Sequence, residues 1–332
     1  MKYWIRRLAI YKIISSQVED VGHSSFKNII YKLGASLARD LEFPFQINIE
    51  ISRACNYNCP FCARTEADLS GNHIDFELVK KIVDEATYLK KPTLFALHMW
   101  GEPLLNPKWA KTVRYIKSST TKHSVTMTTN GFLLNDKNIE SIIKSQLDQV
   151  IISLHTFDPN IYKVRIGKDI DIKLIEQNIS NLLQSVKVQS KKTRVIIRLF
   201  LSSEERKIQA DKIQYFKDKG AVFEFDLYDN SAGDRKDWSE IEPVLDQVKR
   251  WPCYHPWLTA TVNVYGEVTV CCVDSKMALK IGNLTDIKLG SIWKGELIKD
   301  IRGEHKLGQF SEKCSICKNC DTWVSKPDIF FK

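Results

Sequence analysis

This 332-residue chain has no long apolar run. None approaches the roughly 18 consecutive apolar residues of a membrane-spanning helix, which excludes a helical membrane span. Met1 to Ser16 carries positive charge but has neither a clean apolar centre nor a small-residue cleavage site, so a cytoplasmic location is expected. No nucleic-acid recognition motif accompanies the net charge of +9. Lys and Arg are spread among Asp and Glu, and the densest group, Lys187 to Arg194, falls between a predicted helix and a strand. That is the distribution of a solvated face, and nucleic acid is not expected as a partner. Internal repeats and low-complexity segments are also absent, which excludes a solenoid.

What is present is a globular composition, 43% apolar and 27% charged, long enough for one large domain and a smaller one. The nine cysteines are grouped: three at 55–62, three at 253–272 and three at 314–320. An odd count without a secretion signal argues against a disulfide framework and for metal or redox chemistry.

Four segments are expected. Residues 1–43 read as mostly helical, with Tyr3, Trp4, Ile5, Leu8, Ile10 and Ile13 on an amphipathic face suited to packing on the main domain. Residues 44–228 alternate strand and helix. Ile47, Ile49 and Ile51 open the series. Apolar runs recur at Leu94–Met99, Val125–Thr128, Val150–Leu154, Val195–Leu201 and Val222–Leu227. Between them Val79, Ile82 or Val83, Ala86 and Leu89 follow an Asp75 cap, Ile175, Ile179, Leu182 and Val186 follow Asp171, and Gly220 ends a helix. Six such units predict a parallel sheet, and a doubly wound sheet and a partial barrel fit equally well. Residues 229–250 read as a linker. Residues 251–332 predict a hairpin from Thr259 to Val273 turning at Tyr265-Gly266, a helix near Ser291–Ile301 and a cysteine-rich tail.

Cys55, Cys59 and Cys62 follow the first strand directly, at the end where parallel α/β sheets build ligand sites. Three thiolates in one loop leave the fourth iron of a four-iron cluster open to a small molecule. A zinc knuckle would need a fourth ligand, and none follows nearby. This CxxxCxxC, with Phe61 before the last cysteine, resembles the signature of the radical S-adenosylmethionine (SAM) superfamily. Trp100-Gly101-Glu102-Pro103 looks like that family's GGEP motif, with Trp in place of the first Gly. Thr129-Asn130-Gly131 after the third strand, Ser153 ending the fourth, and Arg165 match further SAM-binding positions. The resemblance implies a partial (β/α)6 TIM-like barrel with a [4Fe–4S] cluster on the three cysteines. It also implies that Gly101 lets the backbone approach SAM, that Glu102 pairs with the SAM ammonium, and that Asn130, Ser153 and Arg165 meet its ribose or carboxylate.

Downstream, Cys253, Gly266 with Cys271 five residues later, and Cys314, Cys317 and Cys320 resemble the SPASM/twitch extension. The count implies one auxiliary [4Fe–4S] cluster on Cys253, Cys271, Cys317 and Cys320. Cys272 and Cys314 are then spare, with Cys314 an alternative to Cys320. A structural zinc ribbon suits the same pairs. The implied chemistry is reductive cleavage of SAM to a 5′-deoxyadenosyl radical that abstracts a substrate hydrogen, with flavodoxin or ferredoxin as electron donor. An auxiliary cluster near the substrate favours two-electron oxidation, as in single-auxiliary-cluster carbinol dehydrogenases acting on amino-sugars or cyclitols. The alternatives are a maturase that oxidises, crosslinks or epimerises a peptide side chain, and a redox or iron sensor without catalysis. Candidate catalytic groups are His98, His155, Arg198 and Asp226 at strand ends, and Cys272 as a hydrogen donor.

Overall fold

The computed structural model describes residues 41–64, 71–189, 192–240 and 252–323. The expected helix of residues 1–43 therefore lies, up to residue 40, outside the described residues, as do residues 241–250 of the expected linker and residue 251.

Six strands, β1 (Gln46–Ile49), β2 (Leu94–Leu97), β3 (Ser124–Thr129), β4 (Gln149–His155), β5 (Arg194–Phe200) and β6 (Val222–Asp226), pair in parallel in chain order. Each connection contains helix: α1 (Phe76–Tyr88), α2 (Trp109–Ser119), α3 (Asp136–Ser145), α4 (Pro159–Ile166) with α5 (Ile172–Val188), then α6 (Ser203–Ile208) with α7 (Ala210–Asp218). An order that never reverses has no switch point, so the sheet is a partial barrel and not a doubly wound sheet. Helix α1 starts where Asp75 accepts the amide of Glu77, and buries Val79, Ile82, Val83 and Ala86. Burial of each of the three larger side chains contributes about 1.5–3 kcal/mol. Leu89, expected on that face, instead sits past the helix end and is 37% exposed.

The C-terminal part continues the same sheet. Strand β7 (Thr259–Val262) pairs in parallel with β1, Gln46 opposite Thr259, and β8 (Glu267–Thr269) and β9 (Lys280–Asn283) add antiparallel. The open nine-stranded sheet thus ends in β6 on one side and β9 on the other. The β7–β8 turn falls at Gly266, whose φ of +80° is the left-handed conformation that favours glycine. One helix was expected near Ser291–Ile301. The structure has two, α9 (Leu289–Trp293) and α10 (Glu296–Leu307), because Gly295 between them is extended, with ψ 169°. Two short helices complete this part, α8 (His255–Leu258) before β7 and α11 (Ser315–Lys318) in the tail. Among the described residues no helix is long and apolar enough to cross a membrane.

Candidate active site and cysteine sites

The loop after β1 is pinned on several sides. Ile166 accepts the amide of Asn58, Arg64 donates to Tyr57 O, and Glu102 donates its own amide to Ala54 O. A side chain at Gly101 would sit 2.0 Å from Ser52 O and 2.8 Å from Ala54 O, so this glycine is required by the loop's own backbone. Trp100, where the resemblance has glycine, is buried and packs beside Arg53, whose guanidinium also stacks on Tyr265. Two donors come from farther along the chain. Arg235 Nε and Nη2 both reach Cys62 O, at 3.1 and 3.0 Å, and Ser275 Oγ donates to Ala63 O at 2.8 Å.

Cys55, Cys59 and Cys62 are half-buried on this loop, with the Cys62 amide turned onto Cys59 O. Desolvation raises the thiols of Cys55 and Cys59. Beside them the Asn56 side chain accepts from Asn130 Nδ2 at 2.8 Å, while its own amide nitrogen is buried without an acceptor in the protein. Three thiols and an orphaned donor around one loop fit an iron–sulfur cluster carrying a polar ligand.

Glu102 is 2% exposed. Its carboxylate accepts from Leu104 N, Thr129 Oγ1 and Asn130 N at 3.1, 2.7 and 2.8 Å, binding the ends of β2 and β3 together. Burial outweighs these bonds and pushes its pKa up to about 7. Ser153 does not end β4: the strand continues to His155 through a register irregularity after Ser153. Arg165 donates from Nη1 to the carbonyls of His155 and Phe200 and lies 3.7 Å from Glu205, so much of its guanidinium holds the ends of β4 and β5. Phe61 packs against His155, Tyr228 and Trp238.

The barrel encloses a cavity of about 520 Å³. Of the predicted catalytic candidates, His98, Arg198, Asp226 and Cys272 line it and His155 does not. His155 stacks on Phe200 and shares a 3.0 Å hydrogen bond between Nδ1 and Tyr228 Oη. Burial, with Arg165 and Arg198 adding to it, lowers its pKa to about 3, and His98 is likewise lowered to about 3 by burial and then Arg198. Arg198 is engaged by Glu224 through Nε and Nη2, at 3.2 and 2.9 Å. Sequence reasoning missed Glu224, although its place two residues before Asp226 puts it on the same face of β6. It also missed Asp229, Arg235 and His255.

A second, smaller cavity is lined by Cys253, Cys271, Cys317 and Cys320, the four expected auxiliary ligands. Cys272 and Cys314 do not line it. Cys272 faces the barrel cavity with Sγ 3.4 Å from His255 Nε2, and Cys314 is buried beside Glu304. Burial first, then neighbouring thiols, raises Cys271 well above the ordinary cysteine range, and burial takes Cys320 to about 11. Four thiols around one space, with Cys271 and Cys320 raised by desolvation, fit a cationic metal group that would hold them as thiolates. Among the described residues no three His, Cys, Asp or Glu side chains close around a single metal ion. His255 and Thr322 line both cavities and form the wall between them.

The radical SAM superfamily profile matches residues 49–209, and an iron–sulfur cluster-binding domain profile, SPASM, matches residues 253–321. The GTP 3′,8-cyclase of Chlorobaculum tepidum is 30% identical over 112 residues, 34% of this chain and 33% of that protein. The GTP 3′,8-cyclase of Limosilactobacillus fermentum is 26% identical over 211 residues, 61% and 59% of the two chains. The match to the second spans under two thirds of its length, and the match to the first a third. In fold, the chain resembles BtrN in complex with AdoMet and 2-DOIA, with TM-score 0.56, 19% identity, and 84% of this chain and 93% of that one covered. It also resembles Streptococcus suis SuiB bound to precursor peptide SuiA, with TM-score 0.63, 14% identity and coverage of 96% and 81%.

Proposed function

Because the chain belongs to the radical SAM superfamily and carries a C-terminal SPASM domain, we propose that this enzyme oxidises an alcohol carbon of a small polar molecule, such as an amino-sugar or cyclitol, by two electrons. Cys55, Cys59 and Cys62 would hold the SAM-cleaving [4Fe–4S] cluster, and Cys253, Cys271, Cys317 and Cys320 one auxiliary [4Fe–4S] cluster. When bound, the first cluster and SAM supply a 5′-deoxyadenosyl radical that removes a hydrogen atom from the substrate, with flavodoxin or ferredoxin as electron source.

The observation that carries the reading is the shared wall. His255 and Thr322 face the substrate-sized cavity on one side and the four cysteines on the other, so an electron acceptor would lie against the reacting molecule. The chain's own side chains supply the rest. Glu102 would receive the SAM ammonium at the junction of β2 and β3. Asp226, at the end of β6 and on the cavity, would take the hydroxyl proton as the carbon is oxidised. The walls of the partial barrel would keep bulk water from the radical. The peptide-maturase alternative draws support from the likeness to SuiB, which is a likeness of fold. The cavity's size is that of a small-molecule site, and this favours the first reading.

The test is anaerobic reconstitution followed by reduction in the presence of SAM. We expect about eight irons per chain, as two four-iron clusters, and formation of 5′-deoxyadenosine. Stoichiometric zinc with about four irons would remove the auxiliary cluster from the proposal. A cluster-loaded protein that leaves SAM intact would favour a sensor.

A further inference from the structure

The barrel lumen is unusually polar for its fold, where layers of bulky branched side chains are the rule. Gln46 and Asn48 of β1, Ser124, Thr126 and Thr128 of β3, and Gln149 of β4 all line the cavity. Three of the lining side chains carry a buried polar atom with no hydrogen-bond partner in the protein: Gln46 Oε1, His98 Nδ1 and Thr126 Oγ1. Thr126 is 6% and Gln46 4% exposed, so neither atom is served by open solvent. A buried polar atom left without a partner is costly, and three of them around one cavity, from β1, the end of β2 and β3, mark the place of a polar ligand.

The charge at the other end of the cavity is lopsided. Glu224, Asp226 and Asp229 face it, against Arg198. Arg198 is taken by the two-point contact with Glu224 and lies 4.0 Å from Asp226. Asp229 accepts from Ser231 N, and no ion pair to it occurs among the described residues. It is held close enough to Asp226 and Asp321 for both to oppose its charge. A half-buried carboxylate facing two others is opposed by their charge, and a cationic ligand would relieve it.

We propose that the substrate of this cavity carries, besides its reacting carbon, a protonated amine seated on Asp229, with hydroxyl groups meeting Thr126 Oγ1 and His98 Nδ1. This rests on the small-molecule reading above. It adds that the amine is required for binding and that it stays chemically unchanged.

The test uses cluster-loaded protein with SAM bound and ligand-observed NMR. The probes are glucosamine, N-acetylglucosamine, lysine amide and Nε-acetyl-lysine amide. Glucosamine should bind at least about tenfold tighter than its N-acetyl form. Asp229→Asn should erase that difference, and Thr126→Val should weaken both sugars alike. Equal binding of the two sugars, or binding of neither, overturns the proposal, and this arm needs only the unmodified protein. Lysine amide binding more tightly than glucosamine overturns it in favour of a peptide side chain. SAM cleavage without substrate and iron content are recorded on the same samples. If both hold while the amine preference is missing, the amine seat fails alone; if both are lost, the radical SAM reading has failed.

Discussion

The two cysteine sites are built in opposite ways. Cys55, Cys59 and Cys62 lie in one loop whose backbone is fixed by hydrogen bonds to residues that are not cysteines, from Glu102, Arg64, Arg235 and Ser275. The four cysteines of the smaller cavity come from three places: before α8, after β8, and in and after α11. What docks the last of these is a polar clasp. Asp321, fully buried, accepts the amide of Asn230 with both oxygens at 2.8 and 3.1 Å and the hydroxyl of Ser239, while Asn230 Nδ2 donates to Asn319 O. The first site is therefore preorganised without metal. The second depends on closing long chain segments, an entropic cost that metal binding would offset.

The comparison breaks most sharply on replacing each set. Changing Cys55, Cys59 and Cys62 together to Ala should halve the iron and abolish SAM cleavage while hardly moving the melting temperature. Cys271→Ala with Cys317→Ala should also halve the iron, but leave SAM cleavage without substrate and loosen the tail, read as faster amide exchange over residues 312–323. Equal loss of thermal stability in the two variants would show that the first loop needs its metal as much as the second.

Next in size is the clasp. Asp321→Ala leaves the Asn230 amide buried and unpaired, which costs about 1–3 kcal/mol. Auxiliary iron should be lost preferentially, with the first cluster retained. Iron lost equally from both sites would mean that the clasp also supports the first loop, through Arg235 five residues past Asn230.

Glu102 sharpens the first half of the comparison through pH. Its pKa is raised from 4.5 to about 7, so the folded chain holds this proton more tightly than the unfolded one. The stability it contributes is complete below pH 4.5 and is lost as pH rises through 7, a change on the order of 3 kcal/mol. Glu102→Gln should flatten the unfolding free energy over that window and weaken SAM binding without changing iron content. A wild-type profile already flat between pH 4.5 and 7 would show that the three hydrogen bonds hold the carboxylate ionised.

The same contrast explains what the sequence made legible. The first site is local: the CxxxCxxC, the strand before it and the Gly-Glu-Pro turn lie within short stretches, and their order along the chain mirrors their order around the barrel. Asp75 and Gly266 could be read in the same way, one as a helix cap and one as a turn. Asp229, Arg235 and His255 carry no such signature, because what they do depends on partners far away in the chain. Arg235 meets Cys62 across 173 positions. His255 was masked by lying two residues past Cys253, within a stretch already read for its cysteine. Ser153 was misplaced because a register irregularity has no periodicity to betray it.

The smallest expected effect separates the two spare thiols. Cys272→Ala and Cys314→Ala should each keep both clusters, since neither sulfur lines the four-cysteine cavity. The thiols differ in what they face. Cys314 is buried beside Glu304 and does not line the barrel cavity, whereas Cys272 lies on that cavity against His255. Burial raises the Cys272 thiol, with Asp229 adding to it, so at neutral pH it keeps its hydrogen. That is the state a hydrogen donor needs, and an epimerase would use it to quench the substrate radical. An oxidase sends the remaining electron to the auxiliary cluster instead, and needs no such hydrogen. Under the oxidase reading, Cys272→Ala turns over at close to the wild-type rate and product made in D₂O carries no solvent deuterium at the reacting carbon. Deuterium at that carbon in wild type, lost in Cys272→Ala while 5′-deoxyadenosine is still made, would reassign the enzyme to epimerisation. The Cys314→Ala protein is the control, because loss of a buried thiol there perturbs packing without touching the cavity.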